Sequence, residues 1–242
     1  MADLEQVQST LGIKFKDPAL LELALIHSSF INERPGSGLV SNERLEFLGD
    51  AVLGLYIAEK LYLDFPNADE GELTRFRSLL VRRETLTRLA VSLDLGAFLY
   101  LGRGEEQSGG RAKPANLSRA LEAVIAAVYL DQGCDRAARF IHRLFAGELE
   151  RIETLASVAD SKSRLQEIVQ ARFQATPAYT VVDVSDSDEP AFNAEVRVKS
   201  SYLGSGRGRS KKEAEAHAAR QAIAALENSL HPGSPLLNLD SK

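Results

Sequence analysis

The stretch Asn42-Glu43-Arg44-Leu45-Glu46-Phe47-Leu48-Gly49-Asp50 constrains the chain more than any other. It opens a helical pattern in which Leu45, Leu48, Val52, Leu55 and Tyr56 recur at the spacing of one apolar face. Glu43, Glu46 and Asp50 are separated by three and then four residues, so all three carboxylates share one side of that helix. At roughly 100° per residue, this side lies nearly opposite Leu45, Leu48 and Val52. It continues through Gly54 and Ile57, with Ala58 at its edge. A face that turns small and apolar one turn further on is expected to meet another helix rather than water. Like charges on one face raise one another's pKa unless a cation lies among them, and the nearby cation is Arg44. From these residues two readings stand: a solvated acidic face, or one wall of a site for a hard divalent metal, which prefers carboxylate oxygens.

The rest of the chain sets the frame. At 242 residues and 44% hydrophobic content it can support one large or two modest cores. A formal net charge of -5 means that any nucleic-acid site must come from local clustering. The single cysteine, Cys134, excludes an intramolecular disulfide and a cysteine-based zinc site, and fits a reducing compartment. Residues 1–5 show neither a basic nor an apolar leader pattern, and no apolar run reaches the length of a membrane span. The expectation is a cytoplasmic protein without a membrane partner.

Residues 1–150 are expected to form an all-helical domain. Asp17 followed by Pro18 marks one helix start, and Asp69 with Glu72 has capping-box spacing before a helix over 70–81. Residues 102–114, polar and glycine-rich, read as an exposed loop; helices are expected over 117–130 and 135–155. Apolar content falls at 151–159, which reads as a linker. Residues 160–228 then give a helix, three strands (178–182, 192–198 and a short 201–204) and a long alanine-rich helix from 210. That order predicts a small two-layer α+β domain. The tail, 229–242, is polar and proline-containing and is expected to be disordered.

The last helix begins at an unusual place for its charges. Arg207-Gly208-Arg209-Ser210-Lys211-Lys212 sets four cations within six residues at a helix N-terminus. The macrodipole already makes that end positive, so lysines there make sense if an anion such as phosphate is expected. Acidic and basic side chains are equal in number over 160–227, so the small domain is neutral but polarised.

The nine-residue stretch resembles the signature of the ribonuclease III family, and the α-β-β-β-α region resembles a double-stranded RNA-binding domain. The resemblance implies an all-α endonuclease domain and an RNA-binding domain acting as a homodimer on double-stranded RNA. It implies magnesium, for which manganese would substitute, held by Glu46, Asp50 and Glu122, with Asp50 and Glu122 as the catalytic pair. It places Glu43 and Phe47 at the dimer contact and Glu43 and Glu70 near bound RNA. In the second domain it assigns Lys211, Lys212 and Arg209 to phosphates, and Gln166 and Glu167 to a minor groove. The implied products carry 5′-phosphates and short 3′ overhangs, from ribosomal, transfer and messenger RNA precursors. Two departures stand out. The loop 186–190 is acidic and lacks the family's histidine, and Arg119 stands where the family has an aspartate beside the metal. Arg119 could pair with Glu122 at i, i+3, and it motivates an alternative: a dimeric RNA-binding protein that keeps the fold without cleaving.

Overall fold

The computed structural model describes residues 2–185 and 191–228. The expected acidic loop 186–190 and tail 229–242 lie outside the described residues. Contacts divide the chain into two units, Met1–Leu149 and Glu150–Lys242.

The first unit is helical, as its periodicity predicts. Its helices are α1 (Leu4–Leu11), α2 (Pro18–Ala24), α3 (Ser28–Asn32), α4 (Glu43–Asp64), α5 (Glu70–Val81), α6 (Arg83–Ser92), α7 (Arg103–Gln107) and α8 (Pro114–Gln132), with the start of α9 (Cys134–Phe173). Local chemistry fixes their ends. Asp17 caps α2 through the Ala19 amide with Pro18 in the first turn, and the Asp69–Glu72 capping box closes around the start of α5. Helix α8 is the hub. Leu117, Ala120, Leu121, Ala123, Val124, Ile125, Ala126, Ala127 and Val128 are all buried, so it is apolar on nearly every side and must lie inside a helical layer. Helices α2, α4 and α6 surround it.

Helix α4 is anchored before it starts. Asn42 is buried; its side chain donates to the Ala24 carbonyl (3.0 Å) and its backbone N–H to Ile26 (2.8 Å). It therefore ties α4 to the end of α2 instead of capping α4 with its side chain. One face of α4 then meets α8 at van der Waals distance. A Cβ built on Gly49 would lie 1.8 Å from the Glu122 carbonyl oxygen, so only glycine permits that approach.

Three expectations need correction. Leu55 does not join the buried stripe: it is 63% exposed, and with Phe47 (80%) and Tyr62 (71%) it forms a second apolar line on α4, at spacings of eight and seven residues. Residues 102–114 are mostly exposed, as expected, but they are not an irregular loop. They hold α7 and a 3₁₀ turn (Gly110–Ala112) in which Arg111 donates to the Gly96, Ala97 and Leu99 carbonyls and pairs with Glu106, while Glu105 accepts from Lys113 and Asn116 (both 2.8 Å). Gly102 and Gly110 there serve close packing, and the polar residues form a hydrogen-bond network that composition does not reveal. Finally, 151–159 is helical: α9 runs unbroken from Cys134 to Phe173. The stretch has no Gly or Pro, and Thr154, Ser157 and Ser161 turn their hydroxyls back onto their own helix.

In the second unit, strands β1 (Ala178–Asp183), β2 (Phe192–Val198) and β3 (Ser201–Gly208) pair antiparallel in the order β1-β2-β3. Alternation on β2 is clean: Ala194, Val196 and Val198 are buried, and Asn193, Glu195 and Arg197 are exposed. Helix α10 (Lys211–Asn228) covers the buried face. The third strand extends to Gly208, beyond the expected 204. Cβ atoms on Gly204, Gly206 and Gly208 would come within 2.8, 2.3 and 2.6 Å of backbone at Ala222, Ala218 and Ala214. Glycines on the strand and alanines on the helix let the two layers touch, so the strand continues through the glycines beyond 204.

Candidate active site

Helices α4 and α8 hold the acidic residues against each other. Glu43, Glu46, Phe47 and Asp50 from α4 and Ser118, Arg119 and Glu122 from α8 line one open cleft of about 550 Å³. Val81 at the end of α5 and Arg83 and Leu86 of α6 complete the wall. Three-and-four spacing brings the α4 acids to one face, and Gly49 brings that face onto α8 beside Glu122. The expected set Glu46, Asp50 and Glu122 is thus gathered, together with Glu43 and Phe47. Glu70 is not: it is exposed at the start of α5, where it accepts from the Thr74 hydroxyl (3.0 Å).

Glu122 is the most perturbed carboxyl in the cleft. Burial, then the charges of Asp50 and Glu46, push its pKa up to about 7 against the partial relief of Arg119 and Arg83. Among the described residues its carboxyl receives no hydrogen bond and forms no ion pair. Glu46 is also raised, by burial first, with Glu43 and Asp50 adding; its contact with Arg119 offsets this only in part. Four carboxylates against two guanidiniums leave this cleft with an excess of negative charge that its own side chains do not neutralise.

Those donors suit a hard divalent cation: carboxylate oxygens, uncompensated charge, and one half-buried carboxyl without a partner. The fit is in charge and chemistry rather than in a preassembled shell. Among the described residues no three His, Cys, Asp or Glu side chains are drawn close enough to share an ion. Part of the reason is Arg119. Its Nε lies 3.3 Å from Glu46 Oε1, across the helix interface, and not against Glu122 on its own helix as i, i+3 spacing suggests.

Arg83 escaped the sequence reading. Its signal was there: Arg82 and Arg83 open α6, against the macrodipole, in the manner that singled out Lys211 and Lys212. Ser118 gave no comparable signal.

In the second unit, Lys211 and Lys212 occupy the first turn of α10, exposed, and neither enters an ion pair among the described residues. Ser210 accepts from the Glu213 amide (3.2 Å), and Glu213 accepts from the Arg209 amide (2.8 Å). This box satisfies two backbone donors and leaves the cationic side chains of Arg209, Lys211 and Lys212 at the surface. Gln166 and Glu167 are exposed on α9.

Comparison with known proteins matches each unit to a family. Residues 17–149 match the ribonuclease-III-like family, and residues 161–226 match the double-stranded RNA binding motif. A protein named Ribonuclease 3 from Dehalococcoides mccartyi is 56% identical over 230 residues, covering 95% of this chain and 97% of that protein. Ribonuclease 3 of a Roseiflexus species is 46% identical over 227 residues, covering 93% of this chain and 96% of its own length. Among solved structures, the nuclease domain of ribonuclease III from Campylobacter jejuni is 41% identical with a TM-score of 0.56, covering 61% of this chain and 97% of that one. A second structure of that domain, 42% identical with a TM-score of 0.55, covers 59% of this chain and 95% of its own; it is described by structural flexibility in a region involved in dimer formation.

Proposed function

Because the chain belongs to the ribonuclease III family and has that family's endonuclease and RNA-binding units, we propose that it is a homodimeric, magnesium-dependent endonuclease that cuts both strands of duplex RNA. The observation that carries the metal reading is Glu122, half-buried, unpartnered and facing two further carboxylates across an α4–α8 contact that only Gly49 allows. Glu46, Asp50 and Glu122 would hold the cation, and manganese would substitute for magnesium. When bound, the cation supplies an acidified water and neutralises charge at the phosphorus. The carboxylates would orient that ion, and Glu122 would give up any proton it carries in order to hold it. No side chain forms a covalent intermediate. Products would carry 5′-phosphates and short 3′ overhangs, and the substrates would be ribosomal, transfer and messenger RNA precursors in the cytoplasm.

Dimerisation is read from the exposed apolar line Phe47, Leu55 and Tyr62, which adjoins the acidic face on α4. Covering it with a second copy would bring two clefts to one duplex through a two-fold axis. Glu43, beside Phe47, and Glu70 would lie near the RNA at that contact. In the second unit, Arg209, Lys211 and Lys212 would take phosphates, and Gln166 and Glu167 a minor groove, where Glu167 can accept from a 2′-hydroxyl. The Arg119–Glu46 pair favours the alternative of binding without cleavage. Incubating long duplex RNA with the protein, with and without magnesium, tests both: magnesium-dependent shortening supports the enzyme, and binding without shortening supports the alternative.

A further inference from the structure

Arg119 has no role in the chemistry above, because a guanidinium offers no lone pair to a cation. Yet it sits on a carboxylate that the cation would use, with Nε 3.3 Å from Glu46 Oε1. The pair is built to exchange. The Arg119 side chain is 51% exposed and that of Glu46 26%, their contact runs from Nε to Oε1, and a pair this open is worth no more than about fivefold in an equilibrium. The charge balance points the same way. With Glu122 ionised, Glu43, Glu46, Asp50 and Glu122 face Arg83 and Arg119, so two negative charges remain, which one divalent cation would cancel. A cation settling on Glu46 repels the guanidinium beside it. The half-exposed side chain is then free to turn along the open cleft toward another anion.

We propose that Arg119 is a displaceable internal cation: it holds Glu46 while metal is absent, yields that carboxylate to the incoming ion, and then binds a phosphodiester oxygen of the substrate. This rests on the proposed metal site. It makes Arg119 a residue that couples the two ligands, metal and phosphate, each of which strengthens binding of the other by the same factor. Arg83 is the internal comparison, since it bears the same charge in the same cleft without an ion pair to Glu46.

The test is manganese binding to the full chain, read as free Mn2+ by electron paramagnetic resonance, with and without dimethyl phosphate as a phosphodiester anion. Arg119→Gln should tighten Mn2+ binding about fivefold, and Arg83→Gln about twofold, the effect of the field alone. Arg119→Lys, which can still pair with Glu46, should stay near wild type. Dimethyl phosphate should tighten Mn2+ binding in the wild type and not in Arg119→Gln. Equal effects of the two glutamine variants, or equal phosphate enhancement with and without Arg119, would overturn the proposal while leaving the metal site standing. No Mn2+ binding by any of these proteins would overturn the metal reading, and this proposal with it.

Discussion

The cleft of the first unit and the start of α10 in the second both concentrate charge of one sign, yet they treat it differently. In the cleft Glu46 and Glu122 are partly buried between helices that touch at Gly49, and burial, with the charges of Asp50 and Glu46, raises Glu122 to a pKa of about 7. At α10 the lysines stand in water, where the dielectric weakens their repulsion. Buried like charges need a counter-ion of high charge density held at short range; exposed ones need only an anion close by. The first arrangement suits chemistry on a metal, and the second suits salt-sensitive gripping of a polyanion. If that contrast is right, the two functions come apart under mutation.

The largest separation should come from Asp50→Ala. Losing one ligand removes several kcal/mol of charge stabilisation, about 10³-fold or more in cleavage rate, with duplex affinity within about twofold of wild type. Cleavage of end-labelled duplex beside filter binding without magnesium measures both. Phe47→Asp comes next. A charge buried in the proposed dimer contact should weaken dimerisation by about 3–5 kcal/mol, giving monomers at micromolar concentration by light scattering. An intact dimer would remove Phe47 from the interface.

On the other side of the comparison, replacing Lys211 and Lys212 with Ala should lower the log–log salt slope of RNA binding by about 2 and weaken all duplexes alike, without changing metal affinity. An unchanged slope would break the assignment of the phosphate contacts. Stability effects are smaller. Gly49→Ala should cost about 2–3 kcal/mol, because its Cβ would run into the Glu122 backbone. Gly54→Ala, on the same helix with nothing within 4 Å, should be neutral or up to about 1 kcal/mol stabilising. Urea midpoints at constant m-value decide it.

A last effect is pH-dependent. Glu122 is protonated in folded and unfolded chains below its ordinary value of 4.5, so no penalty exists there. Between 4.5 and about 7 the unfolded chain ionises first, and stability falls with rising pH; the loss is complete above about 7. Discounted for the open cleft, it amounts to about 1–2 kcal/mol in metal-free protein. Urea unfolding at pH 5 and pH 8 should show this drop in wild type, and a smaller one in Glu122→Gln. A wild type as insensitive as the variant would mean that Glu122 is not burdened by its neighbours.

How much of this could be read in the residues follows a physical divide. Periodicity placed the α4 acids and the β2 alternation, because both are properties of one element. The capping signals at Asp17 and Asp69 were equally local. What failed was whatever depends on a neighbour in space. Leu55 fits the apolar pattern but faces outward. The third strand, expected to stop at 204, runs on through Gly206 and Gly208 because the alanines of α10 lie against them. Arg111 in a glycine-rich run became an anchor for three carbonyls. Arg119 was noticed for its charge, but its partner on α4, rather than on its own helix, emerged only with the α4–α8 packing.

The central claim is that the α4–α8 carboxylates form a working site despite Arg119. A magnesium titration of duplex RNA cleavage by the wild-type protein tests it most directly, with duplex binding measured in parallel. Cleavage should rise with magnesium and saturate, and Asp50→Ala should abolish it. A wild-type protein that binds duplex RNA tightly but stays inert at every magnesium concentration would contradict it.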